Sequence, residues 1–241
     1  MSPKVSCYCS TFARPHLLEE SIQSFLNQTY ENKELIIVND CKEQTLIFDH
    51  PQIKIINLQE RINPIGKKFN FAANSCSGDI INPWDDDDIF MPWKIETALK
   101  YFKNGIFHSN QGFFEESIEE ITFFYSYLQC NLFVEKKIFN EVNGYPEEDR
   151  SGLDANLLKK LESKLGNIKT NMNKNEIFYL YRWDTVDSLH ISDLPPESKN
   201  NLEKIYQDKI KNDNNFKRGE IKLNPHWKYD YVKKVKNFIG V

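Results

Sequence analysis

The sequence predicts an α/β fold, a doubly wound and mostly parallel sheet flanked by helices. Three observations carry the prediction. Strand-like and helix-like segments alternate through roughly the first hundred residues. The segment Glu34-Leu35-Ile36-Ile37-Val38 is almost continuously apolar, as suits a strand buried on both faces. Three polar clusters, Ser10 to Arg14, Asn39-Asp40 and Asp85 to Asp88, each fall just past a predicted strand, where open α/β sheets hold their ligands.

The elements follow in order. Val5 to Thr11 reads as a first strand with Val5, Cys7 and Cys9 on one face, broken by Phe12-Ala13-Arg14-Pro15. From Pro15 to Gln28, Leu17, Leu18, Ile22, Phe25 and Leu26 recur at helical spacing, with Glu19 and Glu20 near the start. Glu34 to Val38 and Ile53 to Leu58 are the second and third strands. Lys67 to Cys76 is a helix stopped by Ser77-Gly78, and Asp79 to Trp84 is a fourth strand that delivers the acidic run. A helix is expected from Pro92. The second half is less regular, with strands at Ile121 to Tyr127, Asn131 to Val134 and Ile177 to Tyr181, and helices at Lys136 to Val142 and Asp154 to Leu165. After Pro195-Pro196 the composition turns to Lys, Asn and Glu, and the tail reads as two helices around a polar linker. The expected organisation is a domain over 1–192, with a nucleotide-binding half at 1–104 and an acceptor half at 105–192, and a helical extension over 193–241.

Bulk properties bound the function. A net charge of −4 gives no general reason to expect nucleic-acid binding. No apolar run approaches the ~18 residues of a membrane span. The chain enters a strand directly after Met1-Ser2-Pro3-Lys4, which predicts no leader peptide. The five cysteines form no CxxC pair and read as reduced thiols of a cytoplasmic protein. Within these bounds the stretch that carries chemistry is Trp84-Asp85-Asp86-Asp87-Asp88. Four adjacent negative charges need compensation, from water if they are exposed or from a divalent cation if they converge.

Residues 4 to 192 resemble the inverting glycosyltransferases of family 2, which have the GT-A fold. The resemblance rests on Ser10-Thr11-Phe12-Ala13-Arg14-Pro15, Ser24 to Tyr30, Glu34 to Asp40, Gly66-Lys67-Lys68-Phe69-Asn70, Ser77 to Ile81 and the acidic run with Pro92. It continues more weakly at Asn143-Gly144-Tyr145 with Asp154, and at Tyr181-Arg182-Trp183 with His190. It implies transfer of a sugar from a nucleoside diphosphate sugar, UDP-linked, to a hydroxyl of a glycan, glycoprotein or lipid-linked acceptor. Mn2+ or Mg2+ would act as a Lewis acid on the leaving diphosphate.

The resemblance also implies roles. Asp85 and Asp87 would fill the ends of an Asp-X-Asp motif, with Asp87 the direct metal ligand and His190 completing the metal shell. Asp86 would touch ribose or donor sugar, and Asp88 would cap the helix at Pro92. Asp40 would accept the imino N–H of a pyrimidine while Phe12 stacks on the ring; this does not separate UDP from dTDP. Ser10 and Thr11 would meet the nucleoside, and Lys67 or Lys68 the diphosphate. The family pattern Lys-Arg-Asn reads Lys68-Phe69-Asn70 here, so Arg14 or Arg61 would replace the missing guanidinium. Asp154 is the candidate general base, with Glu147, Glu148 and Asp149 as rivals. Bland readings stand beside these: Asp40 as a turn cap, a solvated lysine pair, Asp154 as a helix N-cap, His190 as an ordinary packed residue.

Trp84 and Trp183 suit either an acceptor-sugar platform or the core. The mixed apolar and lysine-rich tail, Trp227 to Val241, suits either a peripheral membrane surface or docking on its own domain or on a partner. Two other classes compete. An aspartyl phosphohydrolase needs Asp-X-Asp at the end of the first strand, where this chain has Ser10-Thr11. A non-catalytic module that binds nucleotide sugar or glycan is kept open by Phe69 and Leu153, which replace family residues.

Overall fold

A computed structural model describes residues 2–115, 117, 120–126, 128–148, 152–182, 202–212 and 216–241. The expectations placed on Tyr127, Asp149, Trp183, His190 and the boundary after residue 192 lie outside the described residues.

The chain runs β1 (Val5–Thr11), α1 (Pro15–Leu26), β2 (Lys33–Asn39), β3 (Gln44–Ile47), β4 (Ile53–Asn57), α2 (Ile65–Asn74), β5 (Ile80–Pro83), β6 (Ile89–Phe90) and α3 (Lys94–Tyr101). It continues through β7 (Ile106–Phe107), β8 (Gln111–Glu115), β9 (Ile121–Tyr125), β10 (Phe133–Glu135), α4 (Lys136–Glu141), α5 (Leu153–Leu165), β11 (Tyr179–Arg182), α6 (Leu202–Asn212), β12 (Gly219–Lys222) and α7 (Tyr231–Ile239). A 3-10 turn at Gln129–Asn131 takes the first residues of the strand expected at Asn131 to Val134.

The main sheet has six strands in the order β4-β2-β1-β5-β10-β7. β1 pairs in parallel with β2 and with β5, and β2 with β4. β10 runs antiparallel to β5 and to β7. The α/β class with a mostly parallel sheet therefore holds. The chain moves outward from β1 to β2 and β4, then returns to the other side of β1 as β5. This makes the carboxyl ends of β1 and β5 a topological switch point, where such sheets open a crevice. One apolar layer covers the face under α1, with Leu18, Ile22, Phe25, Leu35 and Ile37. A second covers the face under α2 and α5, with Ile36, Val38, Ala72, Ala73, Leu157 and Leu161. Gly66 lets α2 approach the loop before α5: a Cβ there would stand 1.8 Å from the Pro146 carbonyl oxygen.

A second sheet, β6-β11-β8-β9, stands beside the crevice. The tail contains the two expected helices. The segment between them is not only a linker, because β12 pairs in parallel with β3, Gly219 to Lys222 against Gln44 to Ile47. The tail docks on the body. Trp227 Nε1 donates to the Glu20 carbonyl at 3.2 Å and to Ser24 Oγ at 3.1 Å, and Tyr231 and Val235 of α7 are fully buried. No described helix is long and apolar enough to cross a membrane.

Candidate active site

The acidic run leaves β5 and is folded inward. Asp86, Asp87 and Asp88 are buried, and Trp84, just before them, is core: it is 1% exposed and packs on Phe25 and Phe90. Trp84 is thus placed among core rings and forms no sugar platform.

Each aspartate has its own surroundings. Asp85 is held by Gln129 Nε2 at 3.1 and 3.3 Å from its two carboxylate oxygens, while its carbonyl accepts from Ser21 Oγ at 2.7 Å. Arg14 forks onto Asp86, with Nε on Oδ2 at 3.1 Å and Nη2 on Oδ1, and its Nη1 reaches Asp87 Oδ2 at 2.8 Å. Asp88 differs from expectation. It accepts from Tyr179 OH at 2.5 Å and from the Arg182 backbone N–H at 2.9 Å, which fastens the run to β11. It caps no helix, because α3 begins at Lys94 after Trp93.

The electrostatics match this burial. Burial, and then the charge of Asp87, push Asp85 up to about 6. Burial raises Asp86 against the opposing pull of Arg14. Burial with the charges of Asp87 and Asp85 raises Asp88 well above the ordinary carboxylate range. Arg14 and the buried Lys94, whose charge reaches Asp85 and Asp88, are two cations against four carboxylates, so the surplus is negative.

The second cluster forms at the end of β2. Asp40, 2% exposed, accepts from Lys68 Nζ at 2.6 Å and from the Ile62 N–H at 3.1 Å, with Arg61 Nη1 at 3.7 Å. Lys68 also donates to the Thr11 carbonyl at 2.7 Å. Its ammonium therefore ties the ends of β1 and β2 together, while Lys67 faces solvent. Burial lowers the Lys68 pKa and the Asp40 charge works against that. The guanidinium of Arg61 lies over the Phe12 ring at 3.9 Å. Arg61 thus stands beside Asp40 and Phe12. Ser10 Oγ and Thr11 Oγ1 are buried at the end of β1 and have no hydrogen bond of standard geometry, and the Thr11 hydroxyl lies beside Asp86.

Asp154 lies half-buried in the first turn of α5. It is not the N-cap, which is Gly152 in a left-handed conformation at φ 78°. Burial raises its pKa, against the backbone N–H groups of Ala155 and of Asp154 itself. Its charge reaches the buried Tyr145, whose hydroxyl bonds Gln129 Oε1 at 3.2 Å and lies 3.0 Å from Tyr8 OH. Gln129 in turn holds Asp85, so Tyr145 is tied to the acidic run through Gln129. Glu147 and Glu148 are exposed in the preceding loop.

Sequence reasoning missed Gln129, Glu20 and Arg182. Arg182 belongs to the quoted Tyr181-Arg182-Trp183 segment, but nothing in that segment says that its side chain donates to the Asp87 carbonyl at 2.7 Å. Among the described residues no three His, Cys, Asp or Glu side chains converge as a closed metal cage.

Known proteins resemble this chain in sequence and in fold. Residues 6–161 match the family model described as Glycosyl transferase family 2. A relative from Campylobacter jejuni, GalNAc(5)-diNAcBac-PP-undecaprenol beta-1,3-glucosyltransferase, is 31% identical over 114 residues, 44% of this chain and 37% of that protein. The chain spans 38%, 29% and 41% of the length of three further curated relatives. Staphylococcus aureus TarS 1-349 in complex with UDP-GlcNAc superposes with a TM-score of 0.62 at 15% identity, over 88% of this chain and 67% of that one. Mannosyltransferase PcManGT from Pyrobaculum calidifontis, in complex with GDP-Man and Mn2+, superposes at 0.56 with 15% identity, over 75% and 57%. The fold is of the GT-A type, and with the match covering most of its first two thirds the chain belongs to glycosyl transferase family 2.

Proposed function

We propose that the protein transfers a sugar from a nucleoside diphosphate sugar, UDP-linked, to a hydroxyl of a glycan or lipid-linked acceptor, with inversion and with Mn2+ or Mg2+. The observation that carries the reading is the surplus negative charge of Asp85, Asp86 and Asp87 at the mouth between β1 and β5. Its donors are carboxylate oxygens, hard ligands too few to close a cage by themselves. That set fits a divalent ion completed by diphosphate and water better than an all-protein cage. Asp87 and Asp85 would hold the ion, which when bound supplies Lewis-acid neutralisation of the diphosphate. PcManGT, seen with GDP-Man and Mn2+, supports a metal in a neighbour of this fold.

The remaining roles fall to this chain's own residues. Asp40 and Phe12, with Arg61 on the ring, would receive the base, and Ser10 and Thr11 would offer hydroxyls to the nucleoside. Arg14 would meet the diphosphate. Asp154 would take the proton of the acceptor hydroxyl as that oxygen bonds the anomeric carbon and the bond to the diphosphate oxygen breaks. The Campylobacter relative acts, by its name, on an undecaprenol-linked saccharide, which supports a lipid-linked acceptor class.

Thermal melting with UDP, GDP and dTDP, each with and without Mn2+, tests the reading. Stabilisation by UDP is expected only with Mn2+, and is lost in Asp87→Ala. Stabilisation indifferent to both metal and that substitution overturns the metal assignment. Metal-dependent UDP binding with no sugar release from any UDP-sugar would instead favour a non-catalytic module.

A further inference from the structure

The guanidinium of Arg14 holds Asp87, one of the two carboxylates that the proposed function gives to a metal. Three of its N–H groups are committed to the acidic run, two to Asp86 and one to Asp87 Oδ2 at 2.8 Å. Both carboxylates are buried, at 1% and 7% exposure, while the Arg14 side chain keeps 19% of its surface. The backbone of Arg14 is fixed, since its carbonyl accepts from the N–H groups of Leu17 and Leu18 at 3.1 Å in the first turn of α1. The residue before it, Ala13, holds a left-handed φ of 59°, the turn that brings Arg14 to the crevice. The backbone is thus pinned and the long side chain is the part able to move.

Resting on the proposed function, we infer that Arg14 is an internal counter-cation that exchanges with the metal at Asp87, and thereby makes metal and diphosphate bind cooperatively. The argument is one of charge balance. A divalent ion takes Asp87 more readily once the guanidinium has left, because two cations sharing that carboxylate repel. The guanidinium leaves a buried carboxylate only for another anion that its fork can grip, and a diphosphate offers a pair of oxygens on one phosphorus for that purpose. Each ligand removes the obstacle to the other. Such coupling is reciprocal and commonly on the order of tenfold. It also means that the site without ligands is not left with three unbalanced carboxylates, a state that would cost stability.

The alternative is a permanent clamp, in which Arg14 stays on both aspartates and the metal uses their remaining lone pairs. The two are separated by Mn2+ binding to the full chain, followed by the loss of the free-ion electron paramagnetic resonance signal, with and without UDP, in wild type, Arg14→Gln, Arg14→Lys and Asp87→Asn. Exchange predicts that Arg14→Gln binds Mn2+ alone about tenfold tighter than wild type. It predicts that UDP tightens Mn2+ binding about tenfold in wild type and by little in Arg14→Gln. Arg14→Lys, which keeps the charge and loses the fork, falls between. Melting guards against misfolding: Arg14→Gln should melt below wild type without metal and gain more degrees from Mn2+ than wild type does. The inference is overturned if Arg14→Gln binds Mn2+ alone no tighter than wild type, or if UDP tightens Mn2+ equally in both. In either case Mn2+ binding that disappears in Asp87→Asn leaves the functional reading standing. No Mn2+ binding by wild type or Arg14→Gln, with or without UDP, overturns both.

Discussion

Arg182 Nη1 donates to Glu20 Oε2 at 2.8 Å, and with 2% and 0% exposure neither residue reaches water. The pair joins three parts of the chain. Arg182 Nε holds the Asp87 carbonyl at 2.7 Å, and Glu20 Oε1 accepts from Tyr231 OH at 2.8 Å and from the Lys228 N–H at 3.0 Å. The tail therefore supports α1, α1 supports Arg182, and Arg182 supports the acidic run. Burial alone would raise the Glu20 pKa, but the Arg182 charge and the hydrogen bonds outweigh it and lower it. A lowered carboxylate contributes stability that is present above its unfolded value of 4.5 and is lost as pH falls. Glu20→Gln should therefore cost about 3 kcal/mol at pH 7, by leaving Arg182 buried without its counter-charge. Tyr231→Phe should cost about 1 kcal/mol. Urea unfolding at pH 7 and at pH 4 checks both size and sign: the Glu20→Gln deficit should shrink at the lower pH. A deficit that is equal at both would show that the charge of Glu20 carries none of the effect.

Asp40 and Lys68 form the second buried pair, and here stability and function should come apart. Asp40→Leu leaves an ammonium buried with the Thr11 carbonyl alone, and Lys68→Met leaves a buried carboxylate with the Ile62 N–H and the more distant Arg61. Each single change should cost about 3 kcal/mol. The double variant should recover much of that, since two apolar residues replace both charges. UDP affinity should not recover, because the carboxylate that accepts the base N–H is gone. Unfolding in urea gives the cycle, and titration calorimetry with UDP and Mn2+ gives the affinity. Restored UDP binding in the double variant would remove Asp40 from base recognition.

The parallel half of the fold was legible because its strands are apolar runs and its helices are amphipathic. Leu35 to Val38 can only be a buried strand, and Leu17, Leu18, Ile22 and Phe25 can only face a sheet. The short strands were not legible. β8 reads Gln-Gly-Phe-Phe-Glu, with buried Gln111 and Glu115, and their polarity hides the strand. β6 and β7 are two residues long and carry no period. β3 and β12 exist because they pair with each other, Gln44 with Gly219 and Ile47 with Lys222, a relation no local window contains. At the site, position in the chain told which residues would be near the crevice. It did not tell that Lys68 would be spent on Asp40, nor that Asp88 would turn away to Tyr179 and Arg182. Those outcomes depend on burial, and a buried charge takes the nearest partner the fold supplies.

Lys94 is the least expected charge in the core. It is 0% exposed, its Nζ has no hydrogen-bond partner, and it lies 3.5 Å from the Phe90 ring centroid and 4.3 Å from that of Trp84. Burial lowers its pKa from 10.5 to about 8, against the pull of Cys130, Cys7, Asp85 and Asp88. A lysine with a depressed pKa contributes stability that is present above its unfolded value and is lost as pH falls through the folded one. At pH 7 the cost is fully expressed, reduced by the ring faces that favour the cation, worth about 2 kcal/mol when desolvated. Lys94→Met should thus stabilise the protein at pH 7 by about 1 kcal/mol, and the gain should shrink between pH 8 and 10.5. Unfolding in urea at pH 7.0 and 9.5 measures it. A variant that is less stable than wild type at pH 7 would show that the rings more than offset burial.

Asp154 offers the sharpest test of the proposed chemistry. A general base must be ionised, and its strength grows with its pKa. Burial raises that of Asp154, so turnover should fall as pH drops through a value above the ordinary aspartate range of about 3.9. Asp154→Asn keeps the size of the side chain and removes the base. Turnover should drop about 10²–10⁴-fold while affinity for UDP with Mn2+ stays within twofold, and the acidic limb of the rate profile should vanish. Asp154→Glu should restore part of the rate with the limb shifted. Glu147→Gln and Glu148→Gln, on exposed side chains of the preceding loop, should leave both rate and profile close to wild type. The measurement is UDP release from a panel of UDP-sugars with oligosaccharide acceptors between pH 5 and 9. An acidic limb that persists in Asp154→Asn and disappears in Glu147→Gln or Glu148→Gln would move the base from the first turn of α5 to the loop that precedes it.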